Sequence, residues 1–261
     1  MATAATYSDG PPVHPVIHHD NGFLDQFARR PPTLGDRIKY VEWNAMLEAA
    51  EAAQGVPLAP HHDLPDALGA YRHFLHGHGA DRVFSYERYV ANDPSGKQTL
   101  ESAIMDFRRG VEEIALNALS SFEVTSSAIP CGSDDPDLNE LFPYPETENW
   151  QKAIGAHWIW LSGVVNVDVS AGSQSYEARM TLHAEDRYNF NPGAQDIRTG
   201  IPDAANGVFE ITGLAQQYMN YATLIRKLTW SGVTADAPAA TRVAEKRERK
   251  PNDNRRIRNR L

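Results

Sequence analysis

The chain has 261 residues and a mass of 29.0 kDa, and 41% of its residues are hydrophobic, enough to bury a core and too many for a disordered polymer. Its single cysteine, Cys131, excludes an internal disulfide and any thiolate metal cluster, and no run approaches the roughly 18 consecutive apolar residues of a membrane span. The formal charge of −9 is uneven: residues 242–260 carry nine Lys and Arg against three acidic residues, a balance of +6 that leaves −15 for the remainder.

Taken in chain order, residues 1–33 are rich in Pro and Gly, hold His14, His18 and His19, and lack a hydrophobic period, which predicts a flexible leader. The opening also lacks the basic-then-apolar order of a secretory signal, so export by another device is expected. Thr33-Leu34-Gly35-Asp36 caps a helix expected to run through Ile38, Val41, Ala45 and Ala49 to Gly55. After a Pro-rich break at 56–65, Leu68, Tyr71, Phe74 and Leu75 give a short helix that ends at Gly77-His78-Gly79. Over residues 97–119, Leu100, Ile104, Phe107, Val111, Ile114 and Ala118 recur at three and four residues, the strongest helical signal in the chain. Residues 34–120 therefore read as a helical region.

The period then changes. Residues 122–125 read as a short strand and 130–149 as a loop marked by Pro130, Pro136, Pro143 and Pro145. Residues 156–169, a turn at Ala171-Gly172-Ser173 and residues 176–185 form a hairpin. In its second strand Tyr176, Ala178, Met180, Leu182 and Ala184 share one face, and Glu177, Arg179, Thr181, His183 and Glu185 the other, so one face is core and the other wet or working. A short helix within 207–219 and a last strand at 224–230 complete the region. The fold class is α+β, with a helical N-terminal half packed on or joined to a small, mostly antiparallel, half-barrel-like sheet. Residues 121–232 form the candidate catalytic domain. Residues 233–261 are expected to be a disordered basic tail, either solubilising or an arm for anionic lipid; without interleaved aromatics, no nucleic acid is expected.

Candidate chemistry gathers in Glu185-Asp186-Arg187-Tyr188-Asn189-Phe190-Asn191, where the strand runs into a loop and Asp186 is expected to be exposed. Asp186 and Tyr188 share a side; a carboxylate and a phenol two residues apart can hold a hard cation, or orient a water and a phosphate oxygen, with Asp196 and Asp203 of the next loop near by. The competing reading takes Asp186, Asn189, Asn191 and Pro192-Gly193 as turn formers that end the strand. His183, on the polar face, is a candidate acid or base, whereas His157 reads as a half-buried strand residue. His61, His62, His73, His76 and His78 lack the spacing of paired zinc ligands and read as surface or helix-end residues. Trp150, Trp158 and Trp160 either pack in a core or lie at a membrane surface.

Several of these pieces resemble the colicin M-like family. Residues 67–82, from Ala67-Leu68-Gly69-Ala70-Tyr71 through Gly77-His78-Gly79 to Arg82, are similar to its central helix and Gly-x-Gly turn. Gly155-Ala156, the hairpin and residues 185–191 resemble the strand that carries its acidic motif, and residues 207–215 resemble its final helix, so the likeness spans residues 67–230 in order. Members are bacteriocins and toxin domains that hydrolyse lipid II between undecaprenyl and pyrophosphate, with magnesium. The resemblance implies a secreted or delivered antibacterial toxin that acts in the periplasm of a target cell and blocks wall synthesis. It implies Mg²⁺ with Asp186 and Glu185 as metal ligands, lipid II at a membrane surface as substrate, and an immunity protein as partner. The family motif is Asp-x-Tyr-Asp with His-Arg five residues on. Asp186 and Tyr188 match it, Asn189 stands where the second Asp belongs, and Gln195-Asp196 stand where His-Arg belong. Asp196, His183 and Arg198 are therefore the candidates for the missing functions. The alternative is a catalytically inactive or non-enzymatic binding module of the same fold that holds an anionic lipid through Arg187, Arg198 and the basic tail.

Overall fold

The computed structural model describes residues 3–56, 62–116, 120–170, 173–195 and 202–232, so the basic tail, Asp196 and Arg198 lie outside the described residues. The first half comprises β1 (Tyr7–Asp9), α1 (Phe23–Gln26), α2 (Leu34–Ala52), α3 (Pro65–His76), β2 (Arg82–Val83), α4 (Tyr86–Asn92) and α5 (Pro94–Ala115). The second comprises β3 (Ser121–Ser126), β4 (Ile129–Cys131), α6 (Pro136–Leu141), α7 (Glu148–Ala153), β5 (His157–Ser170), β6 (Ser173–Tyr188), α8 (Ala204–Thr212) and β7 (Tyr218–Ser231). The protein is α+β, with a seven-stranded sheet in the order β1-β3-β5-β6-β7-β2 and β4 beside β5. Its described pairs are antiparallel except the short contact of β2 with β7. The loop expected at 130–149 also holds two short helices, each opened by a turn-forming residue, Asp135 and Thr147.

The long hairpin forms because its apolar residues alternate. In β6 the even-numbered residues from Tyr176 to Ala184 are buried, as a strand with one covered face requires. Helix α5 packs Ala103, Phe107, Val111 and Ala115 against that face, in one cluster with Val124, Ile159, Leu161, Met180 and Leu182. A second cluster lies at one end of the sheet, where Leu68, Tyr71, Phe74 and Leu75 of α3 meet Tyr188, Phe190, Phe209 and Tyr218. Trp150, Trp158 and Trp160 are all buried, so the indoles pack rather than present a membrane-facing surface.

Two expectations fail for physical reasons. Helix α2 starts as expected at a capping box, with Thr33 Oγ1 accepting from the Asp36 N–H and the Asp36 carboxylate accepting from the Thr33 N–H. It nevertheless turns Ile38 and Val41 to solvent and packs Tyr40, Trp43, Leu47 and Ala50 inward. Both stripes have helical spacing, and the one with two large rings buries more apolar surface. The expected flexible leader is, in contrast, ordered: Tyr7, Ser8 and Asp9 pair with Ser126, Thr125 and Val124, and Phe23 enters the second cluster. A period search misses it because a strap held by scattered side-chain bonds needs no amphipathic repeat.

Gly22 fixes the strap's end. It has φ +56°, and a Cβ there would stand 2.0 Å from the Phe190 carbonyl oxygen, which accepts the Phe23 N–H at 3.2 Å. Gly22→Ala is expected to lower urea-derived stability by more than about 1 kcal/mol. Gly35→Ala, whose Cβ meets nothing closer than 3.8 Å within a helix, is expected to leave stability unchanged or raise it.

Candidate functional site

Strand β6 does not end before the acidic pair but continues to Tyr188, in register with β7 throughout. Side chains of consecutive strand residues point to opposite faces, so Asp186 and Tyr188 lie on the core face, while His183, Glu185 and Arg187 lie on the outer one. Asp186, expected to be exposed, is 0% accessible, as is Tyr188.

On the core face, Ala184 belongs to the first apolar cluster and Tyr188 to the second, and Asp186 stands between them. Asp186 is opposite Asn220 of β7, which is opposite Arg82 of β2, so three polar residues form one row across the sheet. Arg82 Nη1 donates to Asn220 Oδ1 at 3.3 Å, and Asn220 Nδ2 donates to the Ala153 carbonyl at 3.3 Å. One residue before the Trp158–Glu185 pair, His157 lies on the core face and is 2% exposed. Its Nδ1 donates to the Gly155 carbonyl at 3.1 Å, and its Nε2 lies 3.2 Å from Tyr86 Oη. The Tyr188 ring is stacked on Tyr218 at 5.1 Å and meets Phe74 and Phe190, which holds the phenol in one orientation.

On the outer face the leader closes over Glu185. His14 Nε2 donates to Oε2 at 2.6 Å and His19 Nε2 to Oε1 at 2.8 Å. Burial pushes this carboxyl up, but the hydrogen bonds from His19 and His14, with their charge, outweigh it and hold the group below its ordinary range. Arg187 Nη1 donates to Asn21 Oδ1 at 3.1 Å. His183 stacks on Trp160 at 3.7 Å, with Nε2 2.9 Å from Ser162 Oγ.

Past the strand, three donors meet acids. Asn189 Nδ2 donates to Asp20 Oδ1 at 2.6 Å, the Phe190 N–H to Glu210 Oε1 at 3.1 Å, and the Asn191 N–H to Asp203 Oδ2 at 3.1 Å. Five carboxylates, of Asp20, Glu185, Asp186, Asp203 and Glu210, are thus at least nine-tenths buried in or against residues 185–191. Both polar atoms of the Asn191 side chain, which is 1% exposed, lack a hydrogen-bond partner.

These placements sort the expected site residues. Glu185 and Asp186 face opposite sides of the sheet, and both oxygens of Glu185 are taken by imidazoles, so the two do not hold one ion together. Among the described residues no group of three His, Cys, Asp or Glu is placed to hold a metal. His183 does not join Asp186, because a three-residue offset puts it on the other face. Asn189 anchors Asp20 of the leader. Asp203 does join the segment, at Asn191. His73 Nε2 is bonded to the Ala80 carbonyl at 2.6 Å, as expected of a helix-end residue. Sequence reasoning missed Asp20, Glu210, Asn220 and Arg82; only the Asp20-Asn21-Gly22 turn carried a local signal.

No family model and no curated protein matches the chain. Among solved structures, it is similar to PaeM, a colicin M-like bacteriocin produced by Pseudomonas aeruginosa, at 15% identity over 65% of this chain and 52% of that one, with a TM-score of 0.37. The chain thus spans about half the length of that structure. A superposition this loose fixes neither the fold nor the function.

Two outcomes are expected from this geometry. Burial, and then the nearness of His14, pull His183 down to about 4, so it stays neutral in the folded protein. As pH falls below the ordinary histidine value, the unfolded chain takes up a proton that the folded one refuses, and stability declines down to about pH 4. His183→Gln should flatten that part of a stability-against-pH curve, and an NMR titration of the ring should find its midpoint near 4. Asn191→Leu replaces an unsatisfied amide by an apolar group of similar size and should raise stability by about 1 kcal/mol in urea unfolding.

Proposed function

We propose that the chain is an antibacterial toxin of the colicin M type, a phosphodiester-type hydrolase that cleaves lipid II between undecaprenyl and pyrophosphate in the periplasm of a target cell. The observation that carries this reading is Asp186. The residue at the first position of the Asp-x-Tyr motif is wholly buried in the central strand, in a polar row that separates two apolar clusters. An apolar side chain there would join the clusters, whereas a buried carboxylate costs stability, and such a cost is typical of a working group.

In this reading Asp186 takes a proton from the attacking water. Tyr188, held by Tyr218, Phe74 and Phe190, orients a phosphate oxygen, and Arg82 offsets negative charge along the row. In the alternative role Asp186 would hold a magnesium ion, which would supply charge neutralisation at the pyrophosphate. Phe23 of the leader, packed in one cluster with Tyr188 and Phe190, is the piece that must shift to admit substrate. An immunity protein in the producing cell and delivery by a secretion device complete the reading.

The test is to incubate purified protein with lipid II and Mg²⁺ and to look for release of the pyrophosphorylated disaccharide-peptide. Binding without release would leave the non-enzymatic module as the better account. Asp186→Asn is expected to abolish killing after export to the periplasm, while the thermal midpoint stays level or rises because an isosteric neutral group replaces a buried charge. Undiminished killing by that variant removes Asp186 from the site.

A further inference from the structure

Away from the leader, the outer face of the sheet carries a charge arrangement that its own stability does not favour. In the register of β5, β6 and β7, Val164, Arg179 and Lys227 stand in one row on that face. Arg179 and Lys227 are therefore directly opposite each other on adjacent antiparallel strands, where like charges repel and destabilise the pair. Both are exposed, and among the described residues neither makes an ion pair or a side-chain hydrogen bond. No other described strand pair sets two like charges opposite each other.

Apolar side chains accompany the two cations. Val164, in the same row, and Ile225, one row along and opposite Thr181, are each 46% exposed. Two acids of the same face stand aside. Glu177 is opposite Asn166 and Thr229, Glu123 is on the far side of Val164, and neither bridges to Arg179 or Lys227. Strand β7, which supplies Lys227 and Ile225, is followed in the sequence by residues 242–260 with their balance of +6, whereas the remainder of the chain sums to −15. The exposed pair therefore extends a cationic region that begins at the C-terminus of an otherwise acidic protein.

We propose that this face docks the protein on an anionic phospholipid surface: Arg179 and Lys227 meet headgroup phosphates, while Val164 and Ile225 enter the boundary between headgroups and acyl chains. Anionic headgroups relieve the repulsion that the free protein retains between the two cations. Aliphatic side chains set among the cations suit a lipid boundary, whereas a nucleic acid calls for aromatic rings on which bases stack. The docking is independent of the reaction proposed for Asp186, which points to the opposite face of the same strand.

Co-sedimentation of the full chain with vesicles free of lipid II, made of phosphatidylglycerol and phosphatidylcholine or of phosphatidylcholine alone, tests this. Binding is expected to the anionic vesicles and should weaken as salt is raised. Each cation beside such a surface changes partitioning by roughly fivefold, so Lys227→Glu should lower it about thirtyfold and Glu177→Gln should raise it about fivefold. Lys227→Glu also turns the repelling pair into an attracting one, so its urea midpoint should rise while its binding falls. Ile225→Thr should weaken binding and leave its salt dependence unchanged. Equal binding to neutral vesicles, or partitioning that Lys227→Glu does not alter, overturns the proposal. Tighter Lys227-dependent binding to duplex DNA or to an acidic polypeptide at the same salt overturns it as well. Should Lys227→Glu fail to fold, Lys227→Gln decides: a loss of about fivefold is expected, and no loss overturns the docking face.

Discussion

The period of two in β6 is the constraint on which the rest of the structure depends. Paired on both sides along most of its length, the strand has no freedom to roll, so a residue's face is settled by whether its number is even or odd. Glu185 and Asp186, adjacent in sequence, are thereby committed to different environments. One meets imidazoles of the leader; the other lies inside the protein, in register with Asn220 and, beyond it, Arg82. Two carboxylates that look like one acidic motif are, in space, parts of two different assemblies.

The leader is the second organising element, because it converts the outer face of the sheet into an interior. It covers Glu185 with His14 and His19 and Trp160 with His14, and both are buried. Apart from Ala5 and Phe23, which enter the two apolar clusters, its attachments are polar and dispersed: Asp106 at its start, Glu185 in its middle, and Arg187, Asn189 and the Phe190 carbonyl at its end. Each such bond contributes about 1 kcal/mol net, so the segment is held by their number, and any one can be lost without wholesale unfolding. A hydrophobic strap of the same length would be harder to lift.

Much of the fold was legible from periodicity. The faces of α3 and α5, the hairpin and the alternating burial of β6 follow from where apolar side chains recur. The buried face of α2 did not, since two stripes competed and ring size decided between them. The leader was illegible because its order comes from long-range partners, His14 and His19 with Glu185 and Asn189 with Asp20, which leave no trace in local spacing. The site was half legible. The segment 185–191 was recognisable as the place where acids and amides concentrate, and Asp186 and Tyr188 were placed on one side. That this side is the inner one needed the strand to continue two residues past the point where turn formers begin. Arg82 and Asn220, which complete the row, come from strands whose register no local pattern reveals.

The pairing of β1 with β3 and of His14 with Glu185 also bears on the order of folding. These contacts close loops of 119 and 171 residues, and the entropy of closing such loops falls due before any bond in them forms. The helices and the β5–β6–β7 meander can assemble from near neighbours, so the leader docks last. On the ribosome the N-terminal residues emerge first yet have nothing to dock on until β6 has been made. The chain therefore seals its own sheet only after β6 has left the ribosome.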